Sequence, residues 1–319
     1  MSSNPLNFDL RTQVKPFNFL RLARQTIIAD RKQYHSCKRS FSIHRCWRML
    51  VPNLKRPIFI VGAPRSGTTF LGRCLSRLDE VSYHFEPVAT KAAARYVYAS
   101  QWSTFQARWF YRSVYAWLMQ QHFDADLRLA EKTPRNCFLI DFLVQAFPQA
   151  QFIHIIRDGR DAALSYSKKP WLKAAQISSK QHEPGGYQFG PYARFWVEPD
   201  RVHEFETTSD IHRCIWAWRR HTESALKSSA NLPDHQYHQL SYEALVTSPT
   251  EEAKRLLNFL GISEPRSCRQ FHAAVAQAKP DSVGLWQREL SANQLQQIEA
   301  EAGPLLHLLG YMPSNQLVL

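Results

Sequence analysis

The chain has 319 residues, 44% hydrophobic and 21% charged, which supports one large domain or two modest ones and excludes a wholly disordered chain, a collagen-like repeat or a disulfide scaffold. Forty basic and 27 acidic side chains leave a formal charge of +13, yet residues 1–56 alone hold twelve Lys and Arg against two Asp. The remaining 263 residues therefore carry only +3, so the body is not a general polyanion-binding surface and no nucleic-acid partner is expected.

The six cysteines (Cys37, Cys46, Cys74, Cys137, Cys214, Cys268) contain no C-x-x-C, and the thirteen histidines show no H-E-x-x-H. No metal site is expected from these spacings. Met1 to Arg11 lacks an apolar core and a small-residue cleavage pattern, and no stretch of roughly 18 apolar residues occurs. The expectation is a cytoplasmic protein with reduced thiols.

In chain order, residues 1–55 read as a basic helical extension. Phe17, Leu20, Ala23 and Ile27 fall at helical spacing among Arg21, Arg24 and Arg31, and a second short pattern follows at Ile43, Cys46, Trp47 and Leu50. Either these helices lay an apolar stripe on the body with their basic face solvated, or the segment meets an anionic membrane surface or an acidic partner. From residue 56 to 319 the pattern alternates strand and helix, as a central parallel sheet with flanking helices requires. The predicted strands are Ile58–Val61, Val81–Tyr83, Leu127–Ala130, Gln151–Ile156 and Tyr237–Leu240. The span 178–208 breaks this periodicity with interleaved Pro, Gly and aromatic residues, and reads as a long functional or mobile loop.

The first strand runs into Gly62-Ala-Pro-Arg-Ser-Gly-Thr-Thr69 and then a helix. This is the skeleton of a phosphate-binding loop, whose glycines let backbone N–H groups approach an anion at a helix N-terminus. The lysine that holds a nucleoside triphosphate is replaced by Thr68, and Arg65 is the loop's only strong cation. The loop therefore suits a shorter anion held by Arg65, Ser66, Gly67, Thr68 and Thr69. A second anion site follows the fourth strand: Arg157 at its end and Ser165 in the next helix, with Lys169 as a further cation, converge on one phosphate group.

The segment Pro64-Arg-Ser-Gly-Thr-Thr-Phe-Leu71 resembles the 5'-phosphosulfate loop of the sulfotransferases, and Phe152 to Ser165 is similar to their 3'-phosphate motif. Tyr242-Glu-Ala-Leu245 and the Trp286 to Tyr311 segment resemble later elements of the same family, so the likeness runs from about Arg56 to Tyr311. It implies a P-loop nucleotide-binding fold and 3'-phosphoadenosine 5'-phosphosulfate (PAPS) as donor. The acceptor would be a small molecule or glycan bearing a hydroxyl or amine. No metal is required, because the leaving group carries no pyrophosphate. In the cytosolic branch the base is a histidine in Lys-Thr-His, but here the sequence reads Lys132-Thr133-Pro134. The branch resembling the tyrosylprotein sulfotransferases uses a glutamate some twenty residues after the loop arginine, and Glu86 lies 21 residues after Arg65. The resemblance thus gives Glu86 as general base, Lys132 and Arg65 as cations stabilising the leaving phosphate, and Tyr242 as a nucleotide contact, with Ser282 and Trp286 in the segment that closes over it. Leu285 stands where relatives often carry lysine.

Other readings stay open at this level. His84 is a rival base, Glu131 is expected to pair with a cation, and a small-molecule kinase or a non-catalytic nucleotide-binding module shares the architecture. Trp102, Trp109, Phe110, Tyr111 and the aromatics of the 178–208 loop are candidate acceptor-pocket walls, and Arg112, Lys168, Lys180 and Arg194 are candidate contacts for an acidic acceptor. Neither oligomeric state nor acceptor identity is legible.

Overall fold

A computed structural model describes residues 19–32, 34 and 48–312. Five parallel strands form one sheet: β1 (Ile58–Val61), β2 (Val81–Phe85), β3 (Arg128–Lys132), β4 (Gln151–Ile156) and β5 (Tyr237–Ser241), in the order β2-β3-β1-β4-β5. Short β-branched and aromatic runs buried on both faces explain why β1 and β4 lie inside: every residue of each is buried. Along β1 the side chains alternate, Ile58 and Ile60 facing one helical layer and Phe59 and Val61 the other.

The longer helices are α1 (Phe19–Arg31), α2 (Thr68–Leu75), α3 (Val88–Tyr98), α4 (Thr104–Gln121), α5 (Ile140–Ala146), α6 (Gly159–Ser167), α7 (Asp210–Ser229), α8 (Pro249–Leu260), α9 (Pro265–Val275) and α10 (Ala292–Leu308). Helices α4 and α5 cover the Phe59 face, while α2, α8 and α9 cover the Ile58 face. Around α7 a third apolar cluster gathers α6 and α10 through Ile215, Trp216, Trp218 and Leu306. From β1 the chain crosses to one side of the sheet and from β4 to the other. The carboxyl ends of β1 and β4 thus frame the crevice where ligands bind in such sheets.

Three sequence expectations change. Strands β2 and β3 each run two residues further than predicted, to Phe85 and Lys132, which are register partners. Helix α1 buries Leu22, Thr26 and Asp30 rather than the predicted stripe of Ala23 and Ile27, which are only partly buried, because Asp30 meets His84 and His122. The side chains of Phe17 and Leu20 and the pattern beginning at Ile43 lie outside the described residues, save Leu50, which is exposed. The span 178–208 is packed rather than loose: Tyr187, Arg194 and Trp196 are buried, and a helix occupies Val202–Thr207.

Candidate active site

The loop after β1 takes its shape from two glycines. At Gly62 (φ 153°) a Cβ would lie 2.5 Å from the Ile155 carbonyl, and at Gly67 (φ 89°) it would lie 2.6 Å from the Tyr242 ring. Arg65 between them also has a positive φ of 72°, a strained conformation that an L-residue keeps only where its surroundings enforce it. Helix α2 starts at Thr68, so the first-turn amides, which lack intrahelical partners, open onto the crevice.

Arg157 ends β4 and is fixed from several sides. Its carbonyl accepts Trp218 Nε1–H at 3.0 Å, its Nη1 donates to the Arg65 carbonyl at 3.1 Å, and its Nη2 donates to the Ser282 carbonyl. The guanidinium lies 4.5 Å over the Tyr242 ring, whose hydroxyl bonds Ser282 Oγ at 2.8 Å. Ser282 is held there because Asp161 accepts the Gly284 and Trp286 amides at 2.6 and 3.0 Å, while Arg160 stacks 3.7 Å over Trp286. Arg65 Nε donates to Ser165 Oγ at 3.1 Å. The two sequence-predicted anion sites thus form one cleft of 390 Å³, lined by Arg65, Gly67, Thr68, Thr69, Arg157, Ser165, Tyr242 and Ser282. Arg73 and Lys279 line it too, whereas Lys169 does not. Burial and the proximity of Arg157 push the Arg65 guanidinium below its usual pKa. Arg157 Nε and Ser66 Oγ are buried without hydrogen-bond partners. Two crowded guanidiniums, the orphaned Arg157 Nε–H and a glycine-built cradle make a donor set suited to an anion, whereas Ser66 lines neither cavity.

A second cavity, of 440 Å³, opens beside the first. Glu86 enters it because the residue after β2 adopts φ 41°, while its amide donates to the Lys132 carbonyl at 2.9 Å. Lys132 Nζ donates to Glu86 Oε1 at 2.5 Å and lies 4.1 Å over the Phe85 ring, and Lys91 Nζ donates to Glu86 Oε2 at 2.7 Å. Burial raises the Glu86 pKa, but the two ammoniums outweigh it and hold the carboxyl well below the usual carboxylate range. For Lys132 the balance reverses, since burial lowers its pKa more than Glu86 restores it. The two cavities share Arg65, Thr68 and Thr69, so one short stretch of chain faces both.

Of the two rival bases, His84 takes the structural role expected of a histidine between Tyr83 and Phe85, whereas Glu131 departs from expectation. His84 is fully buried and bonds Ser82 Oγ at 2.9 Å and both Asp30 oxygens at 3.1 Å, away from the cavity. Glu131 pairs with no cation among the described residues; it meets the Thr133 hydroxyl and the Asn136 amide, and burial pushes its pKa up to about 8. The proposed aromatic walls divide. Trp102, Phe110 and Tyr111 belong to the core around α4, and Trp109 is solvent-exposed. Tyr187 and Trp196 of the 178–208 span do wall the cavity, together with Phe85, Tyr166 and Trp171. Of the four candidate cations only Arg194 lines it, its Nη atoms donating to the Tyr192, Trp171 and Gln188 carbonyls. Lys168 pairs with Glu289 at 2.5 Å and Arg112 donates to the Ala146 carbonyl at 3.1 Å. Lys91, Arg135 and Glu183 were missed, because no local spacing links them to Glu86. The one available signal was a lysine in the first turn of α3, where the helix dipole disfavours a cation.

A family model described as Sulfotransferase family matches residues 57–266. Protein-tyrosine sulfotransferase A of Caenorhabditis elegans is 24% identical over 221 residues, covering 64% of this chain and 50% of the relative. Omega-hydroxy-beta-dihydromenaquinone-9 sulfotransferase Stf3 of Mycobacterium bovis is 25% identical over 205 residues, covering 63% of this chain and 45% of the relative. The chain thus spans about half the length of these two curated relatives. Sulfotransferase STF9 from Mycobacterium avium superposes with a TM-score of 0.54 at 12% identity, covering 92% of this chain and 86% of that one, which places the sheet and its helices in the P-loop fold. No helix among the described residues is long and apolar enough to cross a membrane. With 210 of its 319 residues matched by the family model, this chain belongs to the sulfotransferase family and is an enzyme that transfers sulfo groups.

Proposed function

We propose that the protein transfers a sulfuryl group from 3'-phosphoadenosine 5'-phosphosulfate to a hydroxyl of a compact acceptor, with Glu86 as general base. The observation that carries this reading is the meeting of the two cavities over Arg65, Thr68 and Thr69. Bound in the first cleft, the donor supplies a sulfuryl group on a phosphate that leaves. Arg65, the Thr68 and Thr69 hydroxyls and the first-turn amides of α2 hold the 5' end, and Arg157 and Ser165 hold the 3'-phosphate, with Tyr242 beside them. Thr68 offers no ammonium for a triphosphate tail, which favours this donor over ATP.

The walls of the second cavity are aromatic, which suits an acceptor with an apolar or ring-bearing body. Glu86 takes the proton of the acceptor hydroxyl on a carboxylate oxygen, and Lys132 balances charge on the departing phosphate. The depressed pKa keeps Glu86 ionised at neutral pH; its weak intrinsic basicity rises as Lys132 turns toward the phosphate.

Calorimetry tests the donor assignment. 3',5'-Bisphosphoadenosine is expected to bind without Mg²⁺ and more tightly than ATP with Mg²⁺. Tighter ATP binding would overturn it. A turnover screen across phenols, alcohols, sugars and amines, read by mass spectrometry for a gained sulfuryl group, then identifies the acceptor class.

A further inference from the structure

The two oxygens of Glu86 are held by different lysines, and those lysines belong to different structural circuits. Lys132 sits at the end of β3 beside the crevice and pairs with Glu86 alone among the described carboxylates. Lys91 pairs with Glu86 and also with Glu183 Oε2 at 3.2 Å, on the segment that follows α6. Glu183 Oε1 accepts Arg135 Nη2 at 2.7 Å, and Arg135 Nη1 donates both to the carbonyl of Lys91 itself, at 2.7 Å, and to the Gly185 carbonyl, at 2.9 Å. The Glu183–Tyr187 turn is tight, with the Glu183 amide donating to the Tyr187 carbonyl at 2.9 Å. It approaches α3 so closely that a Cβ on Gly185 would lie 2.6 Å from the Val88 carbonyl. Tyr187 from that turn is a cavity wall.

We propose that Lys91 is a positioning residue of the transfer site, joining the acceptor-wall segment, through Glu183, to the carboxylate of Glu86. The inference rests on the reading of Glu86 as base. When Lys132 turns from Glu86 toward the leaving phosphate, Oε1 becomes free to take the acceptor's proton. Lys91 cannot follow, because Glu183 and Arg135 anchor it, and it keeps Oε2 in place. A lysine in the first turn of α3 opposes the helix dipole, so helix stability does not account for it. An ion pair this enclosed also costs desolvation, the side chains of Lys91, Glu86 and Glu183 being 11%, 17% and 18% exposed.

The charges around Glu86 set the direction of the test. Lys132 from β3 and Lys91 from α3 favour its ionised form, with Arg135 and Arg65 as more distant cations of the same cavity. Glu131 on β3, Tyr83 on β2 and Glu183 beyond Lys91 oppose ionisation when charged. Removing Lys91 leaves burial acting against one ammonium instead of two.

The experiment compares pH profiles of kcat for the full chain carrying Lys91→Met, Lys91→Arg and Glu183→Gln with the unsubstituted protein, using PAPS and an acceptor from the screen. The parent profile is expected to stay flat to the lowest pH the fold tolerates. In Lys91→Met the acid limb is expected to rise by a pH unit or more and kcat to fall ~10-fold or more, with the KM for the donor unchanged. Glu183→Gln removes a charge that opposes Glu86 ionisation and releases Lys91 from its anchor, so kcat is expected to fall about threefold or more with the limb no higher than the parent's, and Lys91→Arg is expected to restore the parent limb. An unshifted acid limb in Lys91→Met, or parental kcat in Glu183→Gln, would overturn the proposal; if Lys91→Met does not fold, Lys91→Gln supplies the limb. Glu86→Gln separates the two readings: if it keeps parental turnover the base assignment fails, whereas lost turnover with unshifted profiles removes only the role of Lys91.

Discussion

Replacing Glu86 with glutamine removes one negative charge from between two buried ammoniums. Lys132 is 2% exposed and Lys91 11%, so neither recovers full hydration when its partner is neutralised. Stranding a buried charge costs about 3–5 kcal/mol. Lys91 retains Glu183, and the carbonyl of the introduced glutamine side chain still accepts one hydrogen bond, which brings the expected loss to about 2–4 kcal/mol. At roughly 2 °C per kcal/mol for a chain of this size, that corresponds to a fall in Tm of ~4–8 °C. Turnover is expected to drop ~10²–10⁴-fold, the range for losing a general base. Stability and catalysis can be told apart in one set of proteins. The double variant Glu86→Gln/Lys132→Met removes the stranded ammonium and should regain part of the lost Tm without regaining turnover, while 3',5'-bisphosphoadenosine should still raise the Tm of each protein. Turnover of Glu86→Gln within tenfold of the parent, measured below both melting temperatures, would refute the reasoning.

Arg157→Ala should weaken 3',5'-bisphosphoadenosine binding by ~10–100-fold, the loss of one or two charge-assisted hydrogen bonds, with kcat at saturating donor much less affected; calorimetry giving an unchanged Kd would remove Arg157 from the 3'-phosphate site. Glu131 has a folded pKa raised to about 8, so between its unfolded value near 4.5 and pH 8 the folded state binds the extra proton and stability falls as pH rises. The slope approaches 1.4 kcal/mol per pH unit for one such group, and Glu131→Gln should flatten it in urea melts between pH 5.5 and 8. An unchanged slope in that variant would mean that Glu131 is ionised in the fold.

The phosphate loop and the arginine after β4 could be read from sequence because each is a contiguous strand–turn–helix junction. A few neighbouring residues dictate its shape: Gly67 must hold φ 89°, and no side chain there clears Tyr242. Strands β1 and β4 were equally legible, since β-branched runs buried on both faces leave no polar alternation to confuse them. Glu86 and Lys132 were legible from the family resemblance, at ends of strands predicted two residues short. What only the tertiary structure decided depends on distance through space. Lys91, Arg135 and Glu183 lie up to 97 residues from Glu86 along the chain, and charge pairing across a sheet edge leaves no periodic trace. Aromatic side chains look alike in sequence whether they fill a core, as Phe110 and Tyr111 do, or wall a cavity, as Tyr187 and Trp196 do. The charge state of a carboxyl is likewise a property of its surroundings: two lysines hold the Glu86 pKa down, while at Glu131, on the next strand, burial outweighs the Thr133 hydroxyl and the Asn136 amide and pushes the pKa up.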